Sequence, residues 1–231
     1  MWKVKLLVSP FPRRGWNFDP TKTKMNKQNI ALLSSYLFHP CLLVVGGVAA
    51  MAYLIPFTAT GLSERMKLLS LIAASLYYFL FPLSVVFVMK LTGKVNSFHL
   101  PTREERFLPF SLIALSFFYG WWQMKQMQLP EEFLLYALGA AITALLCFVG
   151  NFFLKISAHA AGCGAMLAFF VLLAIFSQGE LRLYLALVLF VCGLVISARQ
   201  ELSAHTKTEI ALGFLAGVVG EFGVWFSPFG G

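Results

Sequence analysis

The stretches LRLYLALVLFVCGLVISA (residues 181–198) and IALGFLAGVVGEFGVWF (residues 210–226) are joined by the polar link RQELSAHTKTE (residues 199–209). Each apolar run approaches the roughly 20 residues that an α-helix needs to cross the hydrocarbon core of a bilayer. Helices satisfy their own backbone hydrogen bonds and are therefore suited to that environment. The pattern predicts two membrane-spanning helices whose link lies at a membrane face.

The composition extends this pattern to the whole chain. Of the 231 residues, 59% are hydrophobic and 12% are charged, whereas a soluble domain carries roughly 25% charged residues. We predict an all-α, polytopic transmembrane helical bundle with about six to seven spans, and an integral membrane protein rather than a soluble domain. The apolar segments lie at about 41–58, 67–90, 107–125, 132–154, 160–178, 181–198 and 208–226.

The first 29 residues differ from the rest. They hold seven Lys and Arg residues against a single acid, Asp19, and they lack the apolar core of a signal peptide. A basic flank beside a membrane indicates the cytoplasmic side, where it contacts anionic lipid, and we do not expect a nucleic-acid partner. We divide the chain into a basic tail, residues 1–29, and a transmembrane domain, residues 30–231. Within that domain, residues 30–38 are expected at the membrane interface.

Polar residues between the apolar segments gather in three stretches. If the chain crosses the membrane seven times, successive links alternate between the two sides. These stretches then share the side of the N-terminus, and the links on the other side carry no such cluster. The stretches are HLPTREERFLPF (99–110), KISAHAAG (155–162) and RQELSAHTKTE (199–209).

Cationic side chains in these stretches indicate an anion site. They are Arg103, Arg106, Lys155 and Arg199. A guanidinium group offers a planar fork of donors that suits phosphate oxygens, and a lysine acts as a point charge. The alternative interpretation is that these side chains anchor helix ends at the membrane interface, with their charged ends in water.

Two histidines accompany the cations. Glu209 follows His205 by four residues, so a helix that begins there places both side chains on one face. A carboxylate beside a histidine fixes its tautomer, whereas His159 has no acid at comparable spacing. Because phosphate-ester cleavage needs a nucleophile and an acid, the asymmetry predicts His205 as the nucleophile and His159 as the acid. A histidine hydrogen-bonded between helices is the alternative for His159.

The spacing of these residues resembles the type-2 phosphatidic acid phosphatase superfamily, whose motifs read K-x6-R-P, P-S-G-H and S-R-x5-H-x3-D. Arg199, His205 and Glu209 keep the spacing of the third motif, with Glu in place of Asp. The segment 156–159 reads I-S-A-H and keeps the Ser and His of the second motif. Arg106 corresponds to the arginine of the first motif. Its proline, Pro109, follows three residues later rather than directly, and no lysine precedes Arg106 at the family's spacing.

The resemblance implies a metal-free membrane phosphatase that needs no cofactor and acts on a lipid phosphate or prenyl diphosphate through a phosphohistidine intermediate. Lys155 or Arg103 would then supply the charge of the missing lysine. A non-catalytic binder or transporter of phospholipid or phosphate is the alternative function. Carried over to this chain, the family's site residues are Arg106, Ser157 and Arg199 as phosphate ligands, His205 as nucleophile, Glu209 as its orienting carboxylate and His159 as acid.

Small residues in the last apolar segments predict close packing. Gly213 and Gly217 are four residues apart and allow two helices to approach closely. The cysteines lie in different apolar segments without a C-x-x-C pair, which indicates apolar helix residues rather than a metal or redox site. They are Cys41, Cys147, Cys163 and Cys192.

Overall fold

The computed structural model of the protein describes residues 27–95, 100, 102–177 and 179–228. Within these residues every regular element is helical, which confirms the all-α prediction. Residues 1–26, most of the predicted basic tail, lie outside the described residues. The α-helices are α1 (Lys27–Leu37), α2 (Pro40–Ala49), α3 (Glu64–Ala74), α4 (Phe81–Leu91), α5 (Glu104–Gln126), α6 (Glu131–Gly150), α7 (Ala158–Phe176), α8 (Arg182–Glu201) and α9 (Lys207–Trp225).

Two π-helical turns extend these elements. Ala50–Leu54 continues α2, and Ser75–Leu80 joins α3 to α4. The second turn makes Glu64–Leu91 a single helical stretch of 28 residues. Each apolar segment read from the sequence therefore coincides with one helix or one extended helix.

In the described part of the chain, five helices are long and apolar enough to cross a membrane. They are Glu64–Leu91, Glu131–Gly150, Ala158–Phe176, Arg182–Glu201 and Lys207–Trp225. The pair Lys27–Leu37 and Pro40–Leu54 is bent by 55° and brings the number to six if it forms one span. Helix α5 has 23 residues but is not in this apolar set. The chain is compatible with an integral membrane protein, and six to seven spans and a cytoplasmic orientation stay predictions.

Polar residues of the links begin the helices that follow them. Ser63 accepts a hydrogen bond from the Met66 amide at the start of α3. Ser157 caps α7 in the same way. At α9, the Thr206 hydroxyl and the Glu209 carboxylate exchange hydrogen bonds with each other's backbone amides, which is a capping box. The links therefore fix where α7 and α9 start, and with them the positions of the second and third motifs.

Helix α9 packs closely against α7 and α6. A Cβ atom added at Gly217 would overlap the carbonyl oxygen of Ala161 in α7, and one added at Gly213 would lie 2.5 Å from the Ser157 carbonyl oxygen. The Ser157 amide also donates to the Glu209 carbonyl at 3.2 Å. The predicted close approach at the two glycines is confirmed, and it brings the N-termini of α7 and α9 together.

Gly217→Ala should lower the free energy of unfolding by about 1–3 kcal/mol, because the α7 and α9 backbones must separate to admit one methyl group. Gly223→Ala is the matched control on the same helix, since a Cβ atom there meets no atom of the described residues within 4 Å. Both changes have the same effect on intrinsic helix propensity. Thermal unfolding of both variants in detergent would measure the difference. Equal stability of the two variants would contradict the backbone contact at Gly217.

Candidate active site

His205 lies in the link between α8 and α9, and its side chain is 3% exposed. Its Nδ1 atom is 3.0 Å from the carbonyl oxygen of Lys155 and 3.3 Å from Oε2 of Glu209. A carbonyl oxygen only accepts hydrogen bonds, so Nδ1 carries the proton. The lone pair of the neutral ring is therefore on Nε2, the nitrogen that a nucleophile would use.

Glu209 is oriented by the start of α9. Its Oε2 atom accepts from the Thr206 amide at 2.9 Å, and its own amide donates to the Thr206 hydroxyl at 3.2 Å. The capping box thus directs the carboxylate toward His205 while satisfying an amide at the helix N-terminus. The predicted contact between Glu209 and His205 is present, and the Lys155 carbonyl, which the sequence did not suggest, lies closer to the ring than the carboxylate.

The surroundings of His205 keep its imidazole neutral. Burial lowers the pKa of His205 to about 4, and the charges of Arg106, Arg199 and Lys155 act in the same direction. These effects outweigh the hydrogen bond to the Lys155 carbonyl, which raises the pKa. Because this value lies below the ordinary pKa of about 6.5, the ring stays neutral at pH 7 and gains a proton only as the pH falls toward 4. Burial also lowers the pKa of the Lys155 amine, and the Arg106 charge adds to that effect.

Two cationic side chains connect the three polar stretches. Arg106 is buried, with 6% of its surface exposed. Its Nε atom donates a hydrogen bond to the Leu100 carbonyl at 2.9 Å, and its Nη1 atom donates one to the Ile156 carbonyl at 3.1 Å. Nζ of Lys155 donates to the Ala204 carbonyl at 3.3 Å. The stretches therefore meet at one end of the bundle, as the sequence predicted.

Arg199, in the last turn of α8, has an unpaired donor. Its Nη1 donates to the Ser35 hydroxyl at 3.3 Å. Its Nε is buried and has no hydrogen-bond partner among the residues that the structure describes. A buried charged N–H group without an acceptor is costly. An anion held beside Arg199 would satisfy this donor.

His159 lies in the first turn of α7 and contacts residues that the sequence analysis did not assign to the site. Its Nε2 is 3.1 Å from the Ser35 carbonyl oxygen, which makes Nε2 the donor and leaves Nδ1 to exchange a proton. The His39 ring packs edge-on against it, with ring centroids 5.4 Å apart. His39 is also the cap of α2, since its Nδ1 accepts from the Cys41 amide.

Two predicted phosphate ligands have structural contacts. Arg103 donates through Nη1 to the carbonyl oxygens of Phe153, at 2.8 Å, and Phe152, at 3.4 Å. It therefore holds the link between α6 and α7. Ser157 is fully buried, and its hydroxyl accepts from the Ala160 amide at 3.4 Å. A role for either side chain in phosphate binding stays a prediction.

Ser35 and His39 come from the N-terminal corner between α1 and α2, far in sequence from the motifs. The dipeptide His39-Pro40 carries a local signal, because a polar residue followed by proline commonly begins a helix. That signal identifies a cap and says nothing about the neighbour across the bundle. Ser35 carries no signal at all, since a serine on a short interfacial helix is ordinary.

Comparison with protein-family models, with curated proteins and with solved structures finds no match to this chain. The resemblance to the phosphatase superfamily therefore rests on the motif residues of the sequence alone. Over the described ranges, no group of three or more His, Cys, Asp or Glu side chains is arranged to hold a metal ion.

Proposed function

We propose that the protein is a membrane phosphatase that cleaves a lipid phosphate through a phosphohistidine intermediate. The observation that carries the proposal is the hydrogen bond from Nδ1 of His205 to the Lys155 carbonyl, which leaves Nε2 for attack, together with the Arg199 charge that acts on the same ring. Nε of Arg199 has no hydrogen-bond partner among the described residues. Arg106 and Lys155 add positive charge around the same imidazole. Attack on an anionic phosphate monoester requires a nucleophile and nearby cations that stabilise the negative charge of the phosphoryl oxygens.

In this mechanism Nε2 of His205 attacks phosphorus, and the bond from phosphorus to the ester oxygen breaks. The ester oxygen takes the Nδ1 proton of a protonated His159 and leaves as an alcohol, and His159 becomes neutral with its Nε2 proton still hydrogen-bonded to the Ser35 carbonyl. Water then attacks phosphorus, His159 accepts a proton from it, and the bond to His205 breaks to release inorganic phosphate. Glu209 and the Lys155 carbonyl hold the Nδ1 proton of His205 and stabilise the positive charge that forms on the ring.

The surroundings of the site favour a lipid as the substrate. His205 lies between two helices that are apolar enough to span a membrane, and His159 lies in the first turn of a third. Acyl or prenyl chains can remain in the bilayer while the phosphate reaches the cations at the helix ends. If the chain crosses the membrane seven times, this is the side of the basic tail, which the positive-inside rule assigns to the cytoplasm.

The test is release of inorganic phosphate by the purified protein in detergent, from short-chain phosphatidate and from a prenyl diphosphate. We expect release from at least one of them, and we expect it to persist in EDTA because no step uses a metal. Orthovanadate, which mimics pentacoordinate phosphorus, should inhibit. Vanadate binding without phosphate release from either substrate would instead support the non-catalytic binder or transporter.

A further inference from the structure

Ser35 contacts two of the proposed active-site residues at once. It is buried, with 7% of its surface exposed. Its hydroxyl oxygen accepts from Nη1 of Arg199 at 3.3 Å, and its carbonyl oxygen accepts from Nε2 of His159 at 3.1 Å. Arg199 belongs to α8 and His159 to α7, so a single residue of α1 joins the two helices on which the proposed anion site and acid depend.

Each contact has a chemical consequence. The hydroxyl holds one arm of the Arg199 guanidinium and so limits the directions in which its remaining N–H groups, including the unpaired Nε, can point. The carbonyl accepts a hydrogen bond from the Nε2–H group of His159, which leaves Nδ1 as the ring nitrogen that can exchange a proton with the substrate oxygen. A side chain held by a neighbouring hydrogen bond keeps the geometry that a reaction needs.

We propose that Ser35 is a positioning residue of the active site, which sets the orientation of Arg199 toward the phosphate and the tautomer of His159. This inference rests on the proposed function. It makes α1 a fourth segment that lines the site, beside the three motif-bearing stretches, although α1 lies outside all three motifs. Helix α1 packs against α8, so the hydroxyl is held by a tertiary contact rather than by a flexible tail.

Ser35→Ala tests the hydroxyl contact and leaves the carbonyl in place. We expect orthovanadate to inhibit this variant about tenfold more weakly than wild type, the size of one hydrogen bond to a charged group. Ser34→Ala is the matched control, because it makes the same change one residue earlier on the same helix. Ser35→Thr keeps a hydroxyl and should restore most of the vanadate affinity.

A second measurement separates positioning from general packing. In an Arg199→Lys background the guanidinium arm is gone, so adding Ser35→Ala should change vanadate affinity less than twofold, whereas additive effects would overturn the proposal. Vanadate affinity is also measured by thermal shift, so the result does not depend on turnover. A Ser35→Ala variant that matches Ser34→Ala, with wild type active, would overturn this inference alone. A wild type that neither binds vanadate nor releases phosphate would overturn the proposed function and this inference with it.

Discussion

His205→Ala should abolish turnover of a lipid phosphate and formation of the phosphoenzyme together. The expected loss is roughly 10⁴-fold or more, the scale seen when a covalent nucleophile is removed. The physical reason is that the variant lacks the Nε2 lone pair that forms the bond to phosphorus. The measurement is phosphate release by purified protein, together with acid-quench detection of a phosphorylated intermediate from a labelled substrate.

Two comparison variants sharpen this prediction. Thr208→Ala changes an exposed residue in the first turn of α9 and should have near wild-type activity. Glu209→Gln should lose about tenfold to a hundredfold, because the Lys155 carbonyl still holds Nδ1 of His205 while the carboxylate charge is gone. Near-normal turnover by His205→Ala, on a substrate that wild type cleaves, would contradict the proposed mechanism.

Arg199→Ala should lower kcat by about 10²–10³-fold, because in the proposed mechanism it removes a donor to the charge that develops on the phosphoryl oxygens. Arg199→Lys should recover only part of this loss, since an ammonium is a point charge and cannot reproduce the planar fork of a guanidinium. Steady-state kinetics on the same lipid phosphate would measure both variants. Orthovanadate inhibition should weaken in parallel.

Arg182→Ala is the matched control for Arg199. It removes an arginine from the other end of α8, where the side chain is 88% exposed and pairs with Glu180. An exposed ion pair contributes little, so the control should behave as wild type. If Arg199→Ala and Arg182→Ala had equal activity, Arg199 would be an interfacial anchor and not a phosphate ligand.

Much of the architecture could be predicted from local patterns. Apolar runs as long as 67–90 or 132–154 indicate helices without any knowledge of their neighbours, because a helix satisfies its own backbone. The four-residue spacing of His205 and Glu209 likewise predicts a contact within one helix start. The sequence predicted that a second helix would approach Gly217 closely, since small residues allow such an approach. It did not predict which helix that would be.

The corner formed by α1 and α2 could not be predicted in the same way. Ser35 and His39 contact Arg199 or His159, which lie more than a hundred residues later in the chain. Such contacts depend on the 55° bend between α1 and the extended α2 and on the packing of α1 against α8. Pro40 marks where a helix must break, but nothing local in the sequence sets the size or the direction of the bend.

Local patterns were enough to predict the all-helical class, the approximate helix positions and the contact of His205 with Glu209, because each depends on residues within a few turns of one another. Helix packing alone shows that the Lys155 carbonyl holds Nδ1 of His205, that Nε of Arg199 is buried with no partner in the described ranges, and that Ser35 joins α7 to α8. These features arise where the ends of separate helices meet. Their geometry is set by how α7, α8 and α9 pack, which no single stretch of the chain specifies.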